Sequence, residues 1–286
     1  MKLIESKAEY IPQINLYKHI EVCGRIAYKS EDKITKDSSR TFVNNMINAQ
    51  HGAVLEHGTV YLIIPEENQN TTDYETLIHN PYTKSVLYNR DCYITTNYRV
   101  LLENKLLHMM MYDFLPTEHH IKRYTIKFTT DRGVSHELVR HRKFSFLQES
   151  TRYCNYTKGK FGNELTFIIP SWYDKFSGFV DATGHRKNGT SDMYSDKDFV
   201  DFLKDAEANY KAAITAGATP QEARQVLPNA IKTEIVMTGF VEDWIHFFNL
   251  RWKGTTGKPH PDMVILAKKA LEEFEKANIK EIIDII

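Results

Sequence analysis

The chain has 286 residues, 42% apolar and 26% charged, a globular balance with length enough to bury a core without staples. Its 37 basic and 37 acidic side chains cancel, which excludes a global field recruiting nucleic acid or an anionic membrane, so any anion site is local. Three cysteines with no close pair, Cys23, Cys92 and Cys154, argue against a disulfide framework or a zinc cluster and fit a reducing cytosol. MKLIESKAEYIPQ at the N-terminus has no signal-peptide apolar run, and no stretch approaches the roughly 18 apolar residues of a membrane span. A soluble, cytoplasmic protein is expected.

Residues 15 to 50 read as helical, with Phe42, Met46 and Ile47 at helical intervals. Gly58 to Ile64, GTVYLII, is β-rich and predicts a strand. Residues 65 to 122 read as an elaboration of mixed structure. Lys122 to Thr130 alternates and is β-branched, a second core strand; GVSHELVRH after it suits a short helix. From Lys143 no period is clean, and the spacing predicts loop. ELTFIIP is a strand stopped by Pro170. Residues 174 to 195, rich in Gly, Ser, Asp and Asn, read as a mobile surface loop.

Ser195 to Asp198 resembles a capping box. Phe199, Phe202, Leu203, Ala206, Tyr210, Ala213 and Ile214 follow on one helical face, with Gly217 placed to end it. Thr219, Pro220 and Glu222 restart a helix that Pro228 ends. IKTEIVMT suits strand or helix, with strand favoured, and VEDWIHFFNLR predicts a helix. PDMVILAKKALEEFEKA predicts a last helix, apolar at Val264, Ala267, Leu271 and Phe274. Helices and strands mix without a βαβ rhythm, so the expected class is α+β, a single domain with a twisted, mostly antiparallel sheet flanked by helices.

RHRKFSFLQESTRY, Arg140 to Tyr153, gathers Arg140, His141, Arg142, Lys143 and Arg152 in a neutral chain. Arginine suits planar, bidentate recognition of phosphate. Ser150 adds a hydroxyl, and Gln148 an amide able to read a pyrimidine edge. The plain reading of Arg-His-Arg alone is a helix whose last turn carries cations that favour its dipole. The spacing adds more: Arg140-His141-Arg142, seven residues, Ser150, then Arg152.

That spacing resembles the signature of the flavin-dependent thymidylate synthases, the ThyX family, whose motif is Arg-His-Arg, any seven, Ser. Three other blocks fall in that family's order. HGAVLEH, His51 to His57, resembles its segment before the first core strand. ARQVLP, Ala223 to Pro228, resembles Ala-Arg-x-x-Leu-Pro, whose arginine contacts the nucleotide and maps to Arg224. HFFNLR, His246 to Arg251, resembles Phe-x-x-x-Arg, whose closing arginine polarises the uracil ring and maps to Arg251. The resemblance spans roughly residues 15 to 275. It departs at Glu137, where some members carry Gln, at Leu147 and Gln148, where some carry Asn and an acid, and at Phe240 and Glu242, where some place an Asn and an Arg near the flavin.

The resemblance implies methylation of deoxyuridylate (dUMP) to thymidylate. FAD would carry the hydride, NADPH would reduce it, and 5,10-methylenetetrahydrofolate would donate the carbon. Arg251 is implied as catalytic; Glu137, Arg140, Gln148, Glu149, Ser150, Arg152, Arg224 and Arg251 as contacts to dUMP; and His51, Ala53, Glu56, Arg140, His141, Arg142, Gln148 and His246 as contacts to FAD. Family members are homotetramers with each flavin held between subunits. Neither a Rossmann Gly-x-Gly-x-x-Gly nor a Walker loop occurs. Cys154, the cysteine nearest the basic cluster, reads as structural rather than as a nucleophile.

Two other function classes remain open to sequence. Phe144, Phe146 and Tyr153 among cations could stack bases in an RNA-binding module, although such domains are usually basic. His51, Glu56, His57, His119 and His120 could serve a metallohydrolase, but His-x4-Glu-His matches neither common zinc spacing, and no metal is expected.

Overall fold

The computed structural model describes residues 1–159, 162–173 and 196–286. The expected loop at 174 to 195 and the start of the expected capping box at Ser195 lie outside these residues.

The class is α+β. Among the described residues nine strands form three sheets: β1 (Lys2–Ile4) beside β8 (Thr166–Ile168); a four-stranded antiparallel sheet ordered β2 (Lys7–Tyr10), β6 (Arg123–Asp131), β9 (Lys232–Phe240), β7 (Ser145–Gln148); and a three-stranded antiparallel sheet ordered β3 (Thr59–Ile64), β5 (Asp91–Asn97), β4 (Lys84–Tyr88). The antiparallel expectation holds for the two larger sheets, while β1 and β8 pair in parallel. The elaboration expected at 65 to 122 is mixed in structure: it supplies β5, the middle strand of the second sheet, with Leu77, Ile94 and Leu101 in its core.

The four-stranded sheet organises the site. Ile126 and Phe128 of β6 and Ile235 and Met237 of β9 alternate onto one face. Helices α9 (Val241–Phe248) and α10 (Pro261–Lys276) cover that face with Trp244, Phe247, Phe248 and Phe274. The opposite face meets α1 (Leu16–Tyr28), whose Cys23 and Ile26 pack on Val236. Asn15 caps α1, accepting from the Lys18 N–H at 3.1 Å. Helices α2 (Ser38–Asn48) and α3 (Gly52–Leu55) continue from it, then α4 (Thr72–Ile78) and α5 (Tyr98–Glu103) flank the second sheet. Helix α6 (Arg132–Leu138) leads into the Arg-His-Arg motif, and α7 (Asp196–Thr215), α8 (Pro220–Ala223) and α11 (Lys280–Ile283) are the other helices among the described residues.

Several expectations are corrected. The residues after Lys143 are not loop: Ser145–Gln148 pair with β9. Both faces of β7 are covered, Phe146 by the α9 side and Leu147 by the α1 side, so the two-residue alternation that betrays a strand is absent. Phe202 lies on the expected face of α7 yet is exposed. The buried stripe of α10 is Met263, Leu266, Ala267, Ala270 and Phe274, with Val264 and Leu271 at its margin. The helix restarted at Thr219 is one short turn that passes into a 3-10 turn, Arg224–Val226.

Candidate active site

Asp131 caps α6 by accepting from the Val134 N–H at 2.8 Å, and the helix ends just before Arg140. Phe144 then packs on β9 over Gly239, where a Cβ would meet the ring at 2.4 Å. That close approach fixes where the Arg-His-Arg turn leaves the sheet. Facing it, α9 gives way to a π-helical turn, Asn249–Lys253, closed by Gly254 at φ 69°. Such turns recur at functional sites. This one carries Arg251 toward the motif.

Between the two lies an open cleft of 670 Å³, lined by Arg140, His141, Arg142, Lys143 and Phe144 on one side and Glu242, Asp243, His246, Leu250 and Arg251 on the other. Arg251 is the most constrained cation there. Its Nη1 donates to Glu137 Oε2 at 2.7 Å, its Nη2 to the Glu137 carbonyl at 3.2 Å, and its Nε to His141 Nε2 at 2.9 Å. Because His141 Nε2 accepts, the ring is neutral with its proton on Nδ1. Burial, with Arg251 and His246 close by, pushes His141 down to about 4. By contrast Arg140, Arg142 and Lys143 are exposed, and among the described residues their side chains make no hydrogen bond or ion pair. The two acids are engaged: Glu242 with Lys84 at 2.7 Å, and Asp243, raised by burial, with the Phe240 N–H at 3.2 Å.

A second cavity of 300 Å³ lies at the other end of α6, lined by Arg132, His136, Thr151, Arg224, Gln225, Leu227, Pro228, Asn229 and Ile231. Arg224 Nη1 donates to Thr151 Oγ1 at 3.1 Å. Burial lowers Arg132, and Arg224 lowers it further, so two cations converge on one small space without a carboxylate ion pair on either among the described residues. Sequence reasoning missed Arg132 and His136. Their i, i+4 spacing on one face of α6 was the available signal. Arg152 is exposed near this end, with Nε on Gln221 Oε1 at 3.2 Å.

Other expected residues are placed differently. Gln148 Nε2 is taken up by Ser135 Oγ at 2.9 Å and Thr233 Oγ1 at 3.1 Å. Glu149 is 1% exposed and accepts from Tyr156 at 3.1 Å and Lys232 at 2.8 Å. Lys232 also reaches Glu234, which pairs with Lys29 at the end of α1. Burial alone would raise Glu234, but Lys232 and Lys29 hold it low. This buried ionic chain, with the Ser150 N–H on the Ala27 carbonyl at 3.2 Å, pins the motif loop to α1 and β9. His51 lines a separate 290 Å³ cavity with Arg25, Tyr28 and Phe42 and bonds Tyr28 at 2.6 Å. Ala53 is exposed, and Glu56 pairs with Arg99 at 2.6 Å.

His57 bonds Thr238 at 2.7 Å, and His120 bonds the Leu62 carbonyl at 3.1 Å. Hence His51, Glu56, His57 and His120 each turn to a different partner. Among the described residues no group of three or more His, Cys, Asp or Glu could hold a metal ion. Cys154 is 3% exposed in an apolar cluster with Leu165 and Phe167. Among the described residues no helix is long and apolar enough to cross a membrane.

A family model described as thymidylate synthase complementing protein matches residues 83–278. Similar proteins include flavin-dependent thymidylate synthases of Synechocystis, 28% identical over 153 residues covering 51% of this chain and 64% of that protein; of Geobacter sulfurreducens, 33% over 120 residues, 42% and 43%; and of Pyrococcus furiosus, 31% over 145 residues, 51% and 51%. The chain therefore spans less than two thirds of the length of these relatives. A solved structure of a UMP/dUMP methylase, PolB from Streptomyces cacaoi bound with 5-Br dUMP, superposes with a TM-score of 0.45 at 15% identity over 98% of this chain and 93% of that one, a likeness too distant to bear on either fold or function.

Proposed function

The chain belongs to the thymidylate synthase complementing protein family, and from that premise we propose that it is a flavin-dependent thymidylate synthase, methylating dUMP with FAD, NADPH and 5,10-methylenetetrahydrofolate. One observation carries the reading. Arg251 is held by three hydrogen bonds at the wall of a cleft whose other cations, Arg140, Arg142 and Lys143, are left open. A fixed donor beside open anion-binding groups is what a planar, phosphorylated ligand pair requires.

A flavin fits the cleft in kind. Exposed cations at the rim suit its diphosphate, and Phe144 and Leu250 offer an apolar floor for its rings. The volume is in the usual range for small-molecule sites, about 300–1,000 Å³. Arg140, His141, Arg142 and His246 would hold it, and when bound and reduced it supplies the hydride. The chain's own part is binding and polarisation. A guanidinium contributes five N–H donors. Arg251 uses three of them internally, which leaves two to meet the uracil edge as negative charge develops there. Arg132 and Arg224, joined by His136, would take the substrate phosphate at the far end of α6, with Arg152 and the backbone at Ser150 beside it. Glu149 and Gln148 then act as supports of that loop.

His51, Ala53 and Glu56 lie away from the cleft within one chain. A homotetramer with the flavin between subunits would bring a second copy's set to it. Cys154, buried in its apolar cluster, takes no part, so the route needs no enzyme nucleophile. The test is product analysis: purified protein with dUMP, methylenetetrahydrofolate, NADPH and FAD should yield thymidylate, and omission of FAD from flavin-stripped protein should stop it. Conversion without flavin, or none with every component present, contradicts the proposal.

A further inference from the structure

Resting on that reading of the cleft, we infer that Glu137 is a positioning residue, one that acts through Arg251 on His141 rather than by touching the nucleotide. Glu137 occupies the last turn of α6, and its carboxylate and its own carbonyl both hold Arg251, at 2.7 and 3.2 Å. A single residue thereby grips both terminal nitrogens of the guanidinium, which fixes the plane of the fork. With the fork fixed, Nε has one direction left, and it points to His141 Nε2 at 2.9 Å.

The consequence is a defined tautomer. His141 is 8% exposed, packed edge-on against Phe247 with ring centroids 5.2 Å apart. A neutral ring whose Nε2 accepts must carry its proton on Nδ1. Glu137 thus sets, two contacts away, which nitrogen of a cleft-lining histidine donates. Because Arg251 is a cation, its contact with an oxygen acceptor at this position is charge-assisted, roughly twice as strong as a neutral one. The acid at this position accordingly finds its partner inside the protein, and the two N–H groups it leaves on Arg251 are the ones available to a ligand.

Solid-state 15N spectra of the full chain labelled at the histidine rings test this without substrate, with His141 assigned by its loss in His141→Gln. The expected wild-type signature at neutral pH is a neutral ring protonated on Nδ1. In Glu137→Ala the two ring nitrogens should converge as Arg251 loosens. Glu137→Asp, one methylene shorter, should give the same change to a smaller degree even if the alanine variant folds poorly. Glu137→Gln, whose amide oxygen still accepts from Nη1, should restore the wild-type pattern. A wild-type ring protonated on Nε2, or a pattern that neither Glu137→Ala nor Glu137→Asp alters, overturns the inference. Turnover adds an independent reading: a misaimed arginine should lower kcat on the order of ten- to a hundred-fold with KM for dUMP nearly constant, and Glu137→Gln should recover most of it. The ring signature present with no thymidylate formed counts against the proposed function alone.

Discussion

Two pairs of histidines lie on opposite faces of the central sheet. His141 and His246 line the cleft, while His19 and His57 are sealed between α1, β3 and the sheet. Burial holds His19 down to about 4, with Arg123 adding to it, and His57 well below its ordinary range. His141 is displaced as far, to about 4. Displacement by burial therefore does not separate a cleft-lining histidine from one sealed in the core. The partners do. His19 meets Thr125 at 3.1 Å, Thr125 meets Thr238 at 2.7 Å, and Thr238 meets His57 at 2.7 Å, all buried and neutral. His141 meets a guanidinium beside an open 670 Å³ space.

The comparison is open to attack from both sides. The largest expected effect is at the cleft: Arg251→Ala should lower kcat/KM for dUMP by on the order of 10²–10³, as for loss of one preorganised donor, with little change in melting temperature. Steady-state kinetics beside a thermal melt check it, and equal losses in both would make Arg251 structural.

Next in size is the acid sensitivity of the sealed pair. Below the ordinary histidine value of 6.5 the unfolded chain binds protons that the folded chain refuses, so stability should fall as pH drops from 6.5 toward about 4. For His19 the limit is about 3 kcal/mol at 1.36 kcal/mol for each pH unit. Denaturant midpoints across that range should show the slope, and His19→Gln should flatten it. An unchanged slope would mean that His19 is not the group titrating.

A smaller effect is expected at the far end of α6. Arg224→Ala should raise KM for dUMP about tenfold, the loss of one charge-assisted contact, while kcat moves little. The smallest is Cys154→Ala, which should cost about 1 kcal/mol of stability and leave turnover within about twofold. Abolished turnover with flavin and nucleotide still bound would return the cysteine to the chemistry.

Much of the cleft is legible in the order of residues because Arg140, His141, Arg142 and Arg251 lie in compact blocks. Strand β6 is legible because it alternates and is rich in β-branched residues, whereas β9 suits strand or helix by sequence and only its pairing with β6 and β7 decides it. Strand β7 is not legible, since four residues covered on both faces carry no alternation. The internal occupation of Gln148 and Glu149 is hidden too. Their partners, Ser135, Thr233, Tyr156 and Lys232, come from three other places in the chain, and only the fold joins them. Glu137 shows the same limit: sequence places an acid near the motif, and the π-helical turn decides that Arg251 takes it.

The most direct measurement is the visible absorption of the pure protein with FAD under anaerobic conditions, followed through addition of NADPH and then of dUMP with methylenetetrahydrofolate. Flavin bands that bleach with NADPH and return only when both remaining substrates are present are the expected result. Protein that takes up no FAD, or bands that NADPH reduces but the two substrates never restore, would contradict the account.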